Sequence, residues 1–431
     1  MRDRHAPAGP CHPPLDRRTF LKRASTAVGA ALVAGAAPQA GAQGSAEPPA
    51  TAAGPWGAPD GPLPWAVQGR PVSPYGERST FESAVRVPFA TPTTTSSWTF
   101  TPLHALVGII TPSALHFERH HAGVPDIDPR AHRLMIHGLV RRPVVFTMAD
   151  LHRFPSISQI YFVECSGNSL TEWPRPTMPD AQQAHGLVSC SEWTGVPLRT
   201  LLEHVGLDPA ARWVVAEGAD AALMTRSIPI EKCMGDALVA YGQNGEALRP
   251  EQGYPLRLVL PGFEGNTQIK WLRRLKVVRE PYYTREETSK YTDLMPDGTA
   301  RRFSMEMEAK SVITFPSGRQ RLPGPGSYEI TGLAWSGRAP VAAVEVTTDG
   351  GRSWRPSRLQ EPILPLALVR FRLPWTWDGA ETTIASRCID ATGYVQPPRD
   401  MLVAVRGTHS VYHYNGVQPW RIASDGSVSN V

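Results

Sequence analysis

Gln159-Ile160-Tyr161-Phe162-Val163-Glu164-Cys165-Ser166-Gly167-Asn168 spells a predicted strand, 159–164, that delivers Cys165 to a turn containing Gly167 and Asn168. Such a geometry lifts one side chain out of a sheet. Upstream, residues 131–140 alternate as a strand with Leu134, Ile136 and Val140 on one side. Thr147 to Asp150 reads as a capping box opening a short helix. Downstream, Pro197 starts a helix with Leu198, Leu201, Leu202 and Val205 on one stripe and Gly206 as its stop. Pro229 opens another short helix, and strands are predicted at 212–216, 238–241, 254–260 and 269–278. A turn at Asn244-Gly245 is expected to link the 238–241 and 254–260 strands. Organised sequence thus begins near Leu115, and residues 115–280 mix helix and strand as an α+β domain.

After Pro281 the style changes. Residues 328–335, 341–347, 366–373, 382–390 and 401–405 read as short strands, punctuated by Asp349-Gly350-Gly351 and Asp378-Gly379. That spacing predicts a β-sandwich. The 43 prolines among 431 residues agree, since proline at twice its usual share argues against an all-helical chain. With 41% hydrophobic and 19% charged residues, a disordered chain and a coiled coil are both excluded.

The net charge of +5 suggests a polyanion partner, but its distribution does not. Six Arg/Lys face two Asp within residues 1–42, which leaves only +1 on the remainder. A body so near neutrality has no bulk charge to drive phosphate-backbone binding, so nucleic acid is not expected as a partner. The same leader pairs Arg17-Arg18 with Phe20-Leu21-Lys22, a weakly apolar run at about 27–37 and the small-residue site Ala40-Gly41-Ala42. These features predict a twin-arginine signal peptide over 1–42, periplasmic destination and no membrane span, because the apolar run is too short for a bilayer. Residues 43–100, rich in Pro, Gly, Ala, Ser and Thr, read as an extended arm or linker.

Cys11 falls in the leader, leaving Cys165, Cys190, Cys233 and Cys388. An even count in an oxidising compartment is compatible with two disulfides. The absence of a Cys-x-x-Cys-His stretch means no covalent c-type haem is expected on this chain. Cys165 at its strand end suits a nucleophile or a soft thiolate ligand, or equally a structural thiol or half of a disulfide with Cys190. Arg119-His120-His121 offers donors for an anionic cofactor, or two imidazoles for a metal, or a plain surface loop. Arg257 and the Gln268-Ile269-Lys270 run add positive charge suited to a phosphate.

Taken together, these stretches resemble the sulfite oxidase family of molybdenum-cofactor enzymes. The matching segments, in family order over roughly residues 115–410, are FERHHAGVP, ECSGNS, SEWTGVPLRTLL, TRSIP, NGEALRPEQGYPLRLVLPG, GNTQIKWL and AVRG. The resemblance implies a molybdopterin domain of α+β type over 101–282 and an immunoglobulin-like dimerisation domain over 283–431. It implies Cys165 as the thiolate on molybdenum. It also implies Phe117, Arg119, His120, Asp220, Arg257, Gln268, Ile269 and Lys270 around the pterin and its phosphate. Arg119 and Arg406 would face the substrate, and a c-type dihaem cytochrome subunit would take the electrons from a homodimer core within a heterotetramer.

The chain also departs from the family pattern. Sulfite oxidases follow their Cys-x-Gly-Asn with two arginines, whereas Ser169 and Leu170 stand here. They carry a tyrosine where this chain has Met224, and a histidine where it has Gln252. These changes remove groups suited to a free, doubly charged anion, with Arg226 expected to restore some charge. The departures therefore favour sulfur presented on another protein, and the resemblance implies sulfane sulfur carried as a persulfide on a sulfur-carrier protein and oxidised to the S-sulfonate. Oxidation of free sulfite to sulfate is the alternative, and a non-catalytic exported β protein is the rival from another class.

Overall fold

The computed structural model describes residues 68–431, so the expected leader and the first part of the arm lie outside the described residues. Residues 68–77 contain no helix or strand and carry an exposed Arg70–Glu77 pair at 3.5 Å. Residues 78–431 form one compact unit.

Regular structure in that unit begins at Val87, earlier than the expected Leu115. Strands Val87–Pro88, Ser97–Phe100 and Glu118–His120 pair antiparallel in a small sheet. Trp98 sits opposite Arg119 in this ladder. The stretch lacks an apolar period because its short strands are stabilised by cross-strand pairs rather than by one buried face.

Two five-stranded sheets build the rest of the α+β part. One joins Ile157–Glu164, Val188–Pro197, Leu238–Gln243 and the short Glu246–Ala247, with Arg257–Val259 also paired to Leu238–Gln243. The Asn244-Gly245 turn, at φ of 52° and 78°, closes the hairpin onto Glu246–Ala247 and not onto the 254–260 stretch. Positive φ at both central residues is what a two-residue hairpin loop demands. The other sheet runs Val144–Thr147, Arg133–Gly138, Leu272–Val278, Trp213–Gly218, Thr225–Pro229, and its 133–138/272–278 pair is parallel.

Helix Leu198–Val205 packs across these sheets. Leu198, Leu201, Leu202 and Val205 are all buried. Spacing of three and four residues puts them on one face, and each contributes about 1.5–3 kcal/mol of burial. Gly206 ends the helix at φ 74°. Thr147 and Asp150 form the expected capping box ahead of Met148–Leu151.

The second part is two antiparallel sheets face to face. Lys310–Phe315, Gly326–Trp335, Val369–Trp377 and Arg358–Leu359 form one. Arg355–Pro356, Val341–Thr347, Thr382–Asp390, Pro419–Ile422 and Val428–Asn430 form the other. Val312, Leu333 and Phe371 of the first meet Val344, Ile384 and Trp420 of the second in one core. That core continues through Leu103, Phe162, Val188 and Cys190 of the first part, so the two parts share buried surface.

The strand expected at 401–405 is instead inside helix Arg399–Arg406. Leu402 and Arg406, four residues apart, are buried while Met401 and Val405, also four apart, are exposed. A five-residue apolar run cannot separate this period from alternation. The possible disulfides are not formed: Cys165, Cys190, Cys233 and Cys388 are each free and buried. No helix among the described residues is long and apolar enough to cross a membrane.

Candidate active site

Cys165 continues strand Ile157–Glu164 by one more backbone bond, donating its N–H to Leu187 O at 2.9 Å. Asn168 N then donates back to Cys165 O at 2.9 Å and closes the turn. The Asn168 side chain bridges the two sides, donating to Glu164 Oε1 at 2.8 Å and accepting from Leu187 N at 3.1 Å. Gly265 lies against the same turn; a Cβ there would meet Glu164 O at 2.9 Å and Cys165 Cα at 3.3 Å. Glycine is what lets the 265–267 turn approach so closely.

Cys165, 8% exposed, opens onto a cleft. Phe117, Arg119, His120, Asp220, Arg257, Gln268, Ile269 and Lys270 line the same cleft. They arrive from four separate chain segments. Phe117 to His120 come with the small N-terminal sheet, Asp220 follows strand Trp213–Gly218, Arg257 opens strand Arg257–Val259, and 268–270 precede strand Leu272–Val278.

The cleft wall is cationic and short of counter-charge. Arg257 is buried, has no carboxylate partner, donates to Gln252 O at 3.0 Å and leaves its Nε unbonded. Burial alone pulls its pKa down to about 9. Lys270 falls to about 7, through burial first and then repulsion from Arg257. Its Nζ donates to His120 Nδ1 at 2.9 Å, so the His120 ring carries its proton on Nε2 and gives it to Glu118 at 2.6 Å. Both nitrogens of His120 are thus engaged, and His121 Nε2 lies 2.8 Å from the Tyr291 hydroxyl. The pair is therefore not arranged as a two-imidazole metal site.

Orphaned polar atoms converge on the same space. His116 Nε2, Asn266 Oδ1 and Gln268 Oε1 are buried without partners. His116 gives its Nδ1 proton to Phe117 O at 3.1 Å and is kept neutral, with a pKa of about 3, by burial. Buried cations and unpaired polar atoms are costly unless a ligand satisfies them. Among the described residues no group of three or more His, Cys, Asp or Glu could hold a metal ion. A metal at Cys165 would therefore need most of its ligands from an organic, anionic group, which the cationic wall suits. Burial raises the Cys165 thiol pKa and outweighs the Gly167 backbone hydrogen bond and the nearby Arg119 charge, so metal coordination would be the effect that holds it as a thiolate.

Arg406 does not line this cleft. It is buried, ion-paired to Asp293, donates to His413 O at 3.2 Å and stacks over Trp173 at 5.2 Å. Arg226 is likewise committed, to Glu264 at 3.0 Å and Glu287 at 3.5 Å, so the charge it was expected to restore is neutralised. The structure adds Tyr291 and Asn266 to the wall, which sequence reasoning missed. Asn266 stands in the GNTQIKWL segment near Gln268, which was the signal for it, whereas Tyr291 had none: it sits in an irregular segment at φ 47°, and its proximity is purely tertiary.

Behind Arg226 lies a buried relay from the second part. His413 Nε2 is 3.2 Å from Glu264 and Nδ1 is 3.5 Å from Glu308. Burial opposes its charge, but the two carboxylates win and raise it to about 9. A pKa raised on folding contributes stability that is complete below the unfolded value of about 6.5 and lost as pH rises through the folded value. Wild type is therefore expected to lose on the order of 1–3 kcal/mol more than His413→Gln between pH 6.5 and 9. Urea midpoints measured across that range check this.

Residues 121–285 match the family described as "Oxidoreductase molybdopterin binding domain", and residues 301–419 match "Mo-co oxidoreductase dimerisation domain". Sulfite oxidase of Gallus gallus is 30% identical over 318 residues, covering 67% of this chain and 68% of that protein. The chain belongs to the sulfite oxidase family of molybdopterin oxidoreductases. Nitrate reductase [NAD(P)H] of Hordeum vulgare is 32% identical, but this chain spans only 33% of its length. A chain in the crystal structure of the sulfane dehydrogenase SoxCD from Paracoccus pantotrophus is 48% identical, with a TM-score of 0.83 over 86% of this chain and 97% of that one. The family's fold is thus an α+β molybdopterin-binding part followed by an all-β dimerisation part, as observed here.

Proposed function

We propose that the chain oxidises sulfane sulfur carried as a cysteine persulfide on a sulfur-carrier protein, converting it to the S-sulfonate. Three water oxygens are added to the outer sulfur, and six protons and six electrons leave. The observation that carries this reading is the 48% identity to a chain of the sulfane dehydrogenase SoxCD. The pocket chemistry supports it. The positions after Cys-Ser-Gly-Asn hold no cation: Ser169 is tied to His185 Nδ1 at 2.7 Å and Leu170 is apolar. Arg226 is spent on two carboxylates. With Arg257 and Lys270 given over to the cofactor's phosphate, Arg119 is left as the free cation on the cleft wall, which suits a monoanionic persulfide on a protein arm better than a free dianion.

The molybdenum cofactor would be held by Cys165 as thiolate on the metal. Phe117, Arg119, His120, Asp220, Arg257, Gln268, Ile269 and Lys270 would surround its pterin and phosphate. When bound, the group supplies the electron-accepting chemistry. Arg257 and Lys270 would neutralise its phosphate charge in a low-dielectric wall. Arg119, part-buried, stacked 5.1 Å over Trp98 and on the cleft wall, would stabilise negative charge developing on the oxidised sulfur. Arg406 acts on this reading only if substrate or cofactor draws it from Asp293. Electrons pass to a c-type dihaem cytochrome, in a periplasmic complex built on a homodimer of this chain.

The test supplies the molybdenum-loaded mature chain and a dihaem cytochrome c acceptor with either persulfide-loaded carrier or free sulfite, and follows haem reduction. Reduction by the carrier alone is expected. Brisk reduction by sulfite alone would overturn the proposal in favour of a sulfite dehydrogenase.

A further inference from the structure

Lysine is almost never fully buried unless it is paired, yet Lys310 is 1% exposed at the start of strand Lys310–Phe315 in the second part. Its ammonium has three donors, and each has an acceptor. Nζ lies 2.9 Å from Ser169 Oγ, 2.8 Å from Tyr414 O and 3.3 Å from Glu164 Oε1. Glu164 directly precedes Cys165, and Ser169 directly follows Asn168, which closes the turn. One ammonium from the second part therefore pins both ends of the Cys165 turn.

The pinning is reinforced. The other oxygen of Glu164 accepts from Trp335 Nε1 at 2.6 Å, again from the second part. Ser169 is held in the left-handed region at φ 69°, where a non-glycine residue costs about 1 kcal/mol or more. Its hydroxyl, caught between Lys310 and His185, is what offsets that strain.

We propose that Lys310 is a positioning residue for Cys165: it ties Glu164 and Ser169 to the second part and so sets the direction in which the Cys165 sulfur points into the cleft. The inference rests on the reading of Cys165 as the metal's thiolate. It gives the all-β part a role at the metal besides subunit contact. Without the ammonium each end loses one anchor, Glu164 keeping Asn168 and Trp335 and Ser169 keeping His185, and the sulfur samples a wider range of directions.

Lys310→Met alone strands a buried carboxylate and is liable to unfold, so the deciding variant is Lys310→Met with Glu164→Gln, which removes both charges. Two readouts apply. In cofactor-free protein, the alkylation rate of Cys165 by iodoacetamide, resolved by peptide mapping from the fully buried Cys190, Cys233 and Cys388, is expected to rise at least about tenfold. In loaded protein of unchanged thermal midpoint, the electron paramagnetic resonance spectrum of Mo(V) is expected to shift its g-values, with Lys310→Arg lying between the double variant and wild type. Unchanged alkylation and an unchanged spectrum in the folded double variant would overturn the proposal. The alkylation arm needs no metal, so it judges the positioning role separately from the thiolate reading. That reading would itself fall if Cys165→Ser kept the wild-type Mo(V) spectrum.

Discussion

Replacing Cys165 by serine is expected to lower kcat by more than about a hundredfold while leaving the thermal midpoint of the cofactor-free protein nearly unchanged. Changes to residues that merely orient a metal ligand cost about 10–100-fold, so loss of the ligand itself should cost more. Among the described residues that line the cleft the thiol is the one that can ionise to a thiolate, and a serine hydroxyl neither ionises readily nor matches its electron donation. Stability should barely move, because the turn is held by Glu164, Asn168 and Gly265 rather than by the sulfur. Turnover with persulfide-loaded carrier, together with the molybdenum-to-protein ratio, makes the test. Wild-type turnover in the serine variant would sink the assignment of Cys165 to the metal.

Arg257→Met is expected to act in opposite directions on the empty and loaded protein. The empty wild type carries a buried guanidinium with no carboxylate within reach and one unbonded nitrogen. Methionine fills similar space without charge, so the cofactor-free variant should be more stable by about 1–2 kcal/mol, after the lost bond to Gln252 O is counted. Loading should suffer, with cofactor affinity down by about a hundredfold or more, since a buried cation facing a phosphate is replaced by an apolar group. Thermal midpoints of the two empty proteins and molybdenum content after equal loading give both numbers. A destabilised empty variant with full molybdenum content would show that Arg257 is a structural residue and not an anion holder.

The residues on the cleft wall were legible where chemistry and local structure coincide. Cys165 stood out because a strand end followed by a glycine and an asparagine announces a turn, and that turn is formed as read, although it is buried. Phe117, Arg119, His120 and the 268–270 run sat in compact motifs whose backbones bring consecutive residues to one place. Arg406 also sat in a compact motif, but its direction depends on helix Arg399–Arg406 and on Asp293, residues with no sequence mark of their partnership. Tyr291 was invisible for the converse reason: nothing in its immediate sequence distinguishes it from other loop residues, and only the packing of distant segments carries it to the cleft, whereas Asn266 stood inside the quoted GNTQIKWL segment and was passed over for its neighbours.

Sequence alone determined the two-part architecture, because period and proline spacing are properties of neighbouring residues: Leu198, Leu201, Leu202 and Val205 make a helix face wherever they are placed. It likewise determined that Arg257 and Lys270 are basic and that Cys165 ends a strand. Only the tertiary structure decided which charges are free and which are spent. Arg226 and Arg257 are both buried arginines on short strands, yet one meets Glu264 and Glu287 and the other meets no acid at all. Lys310, in a stretch where no strand was expected, lies under the Cys165 turn because its sheet and that of Glu164, 146 positions away in the chain, share one core. Pairing at that separation is set by which surfaces exclude water from each other, and no local pattern encodes it.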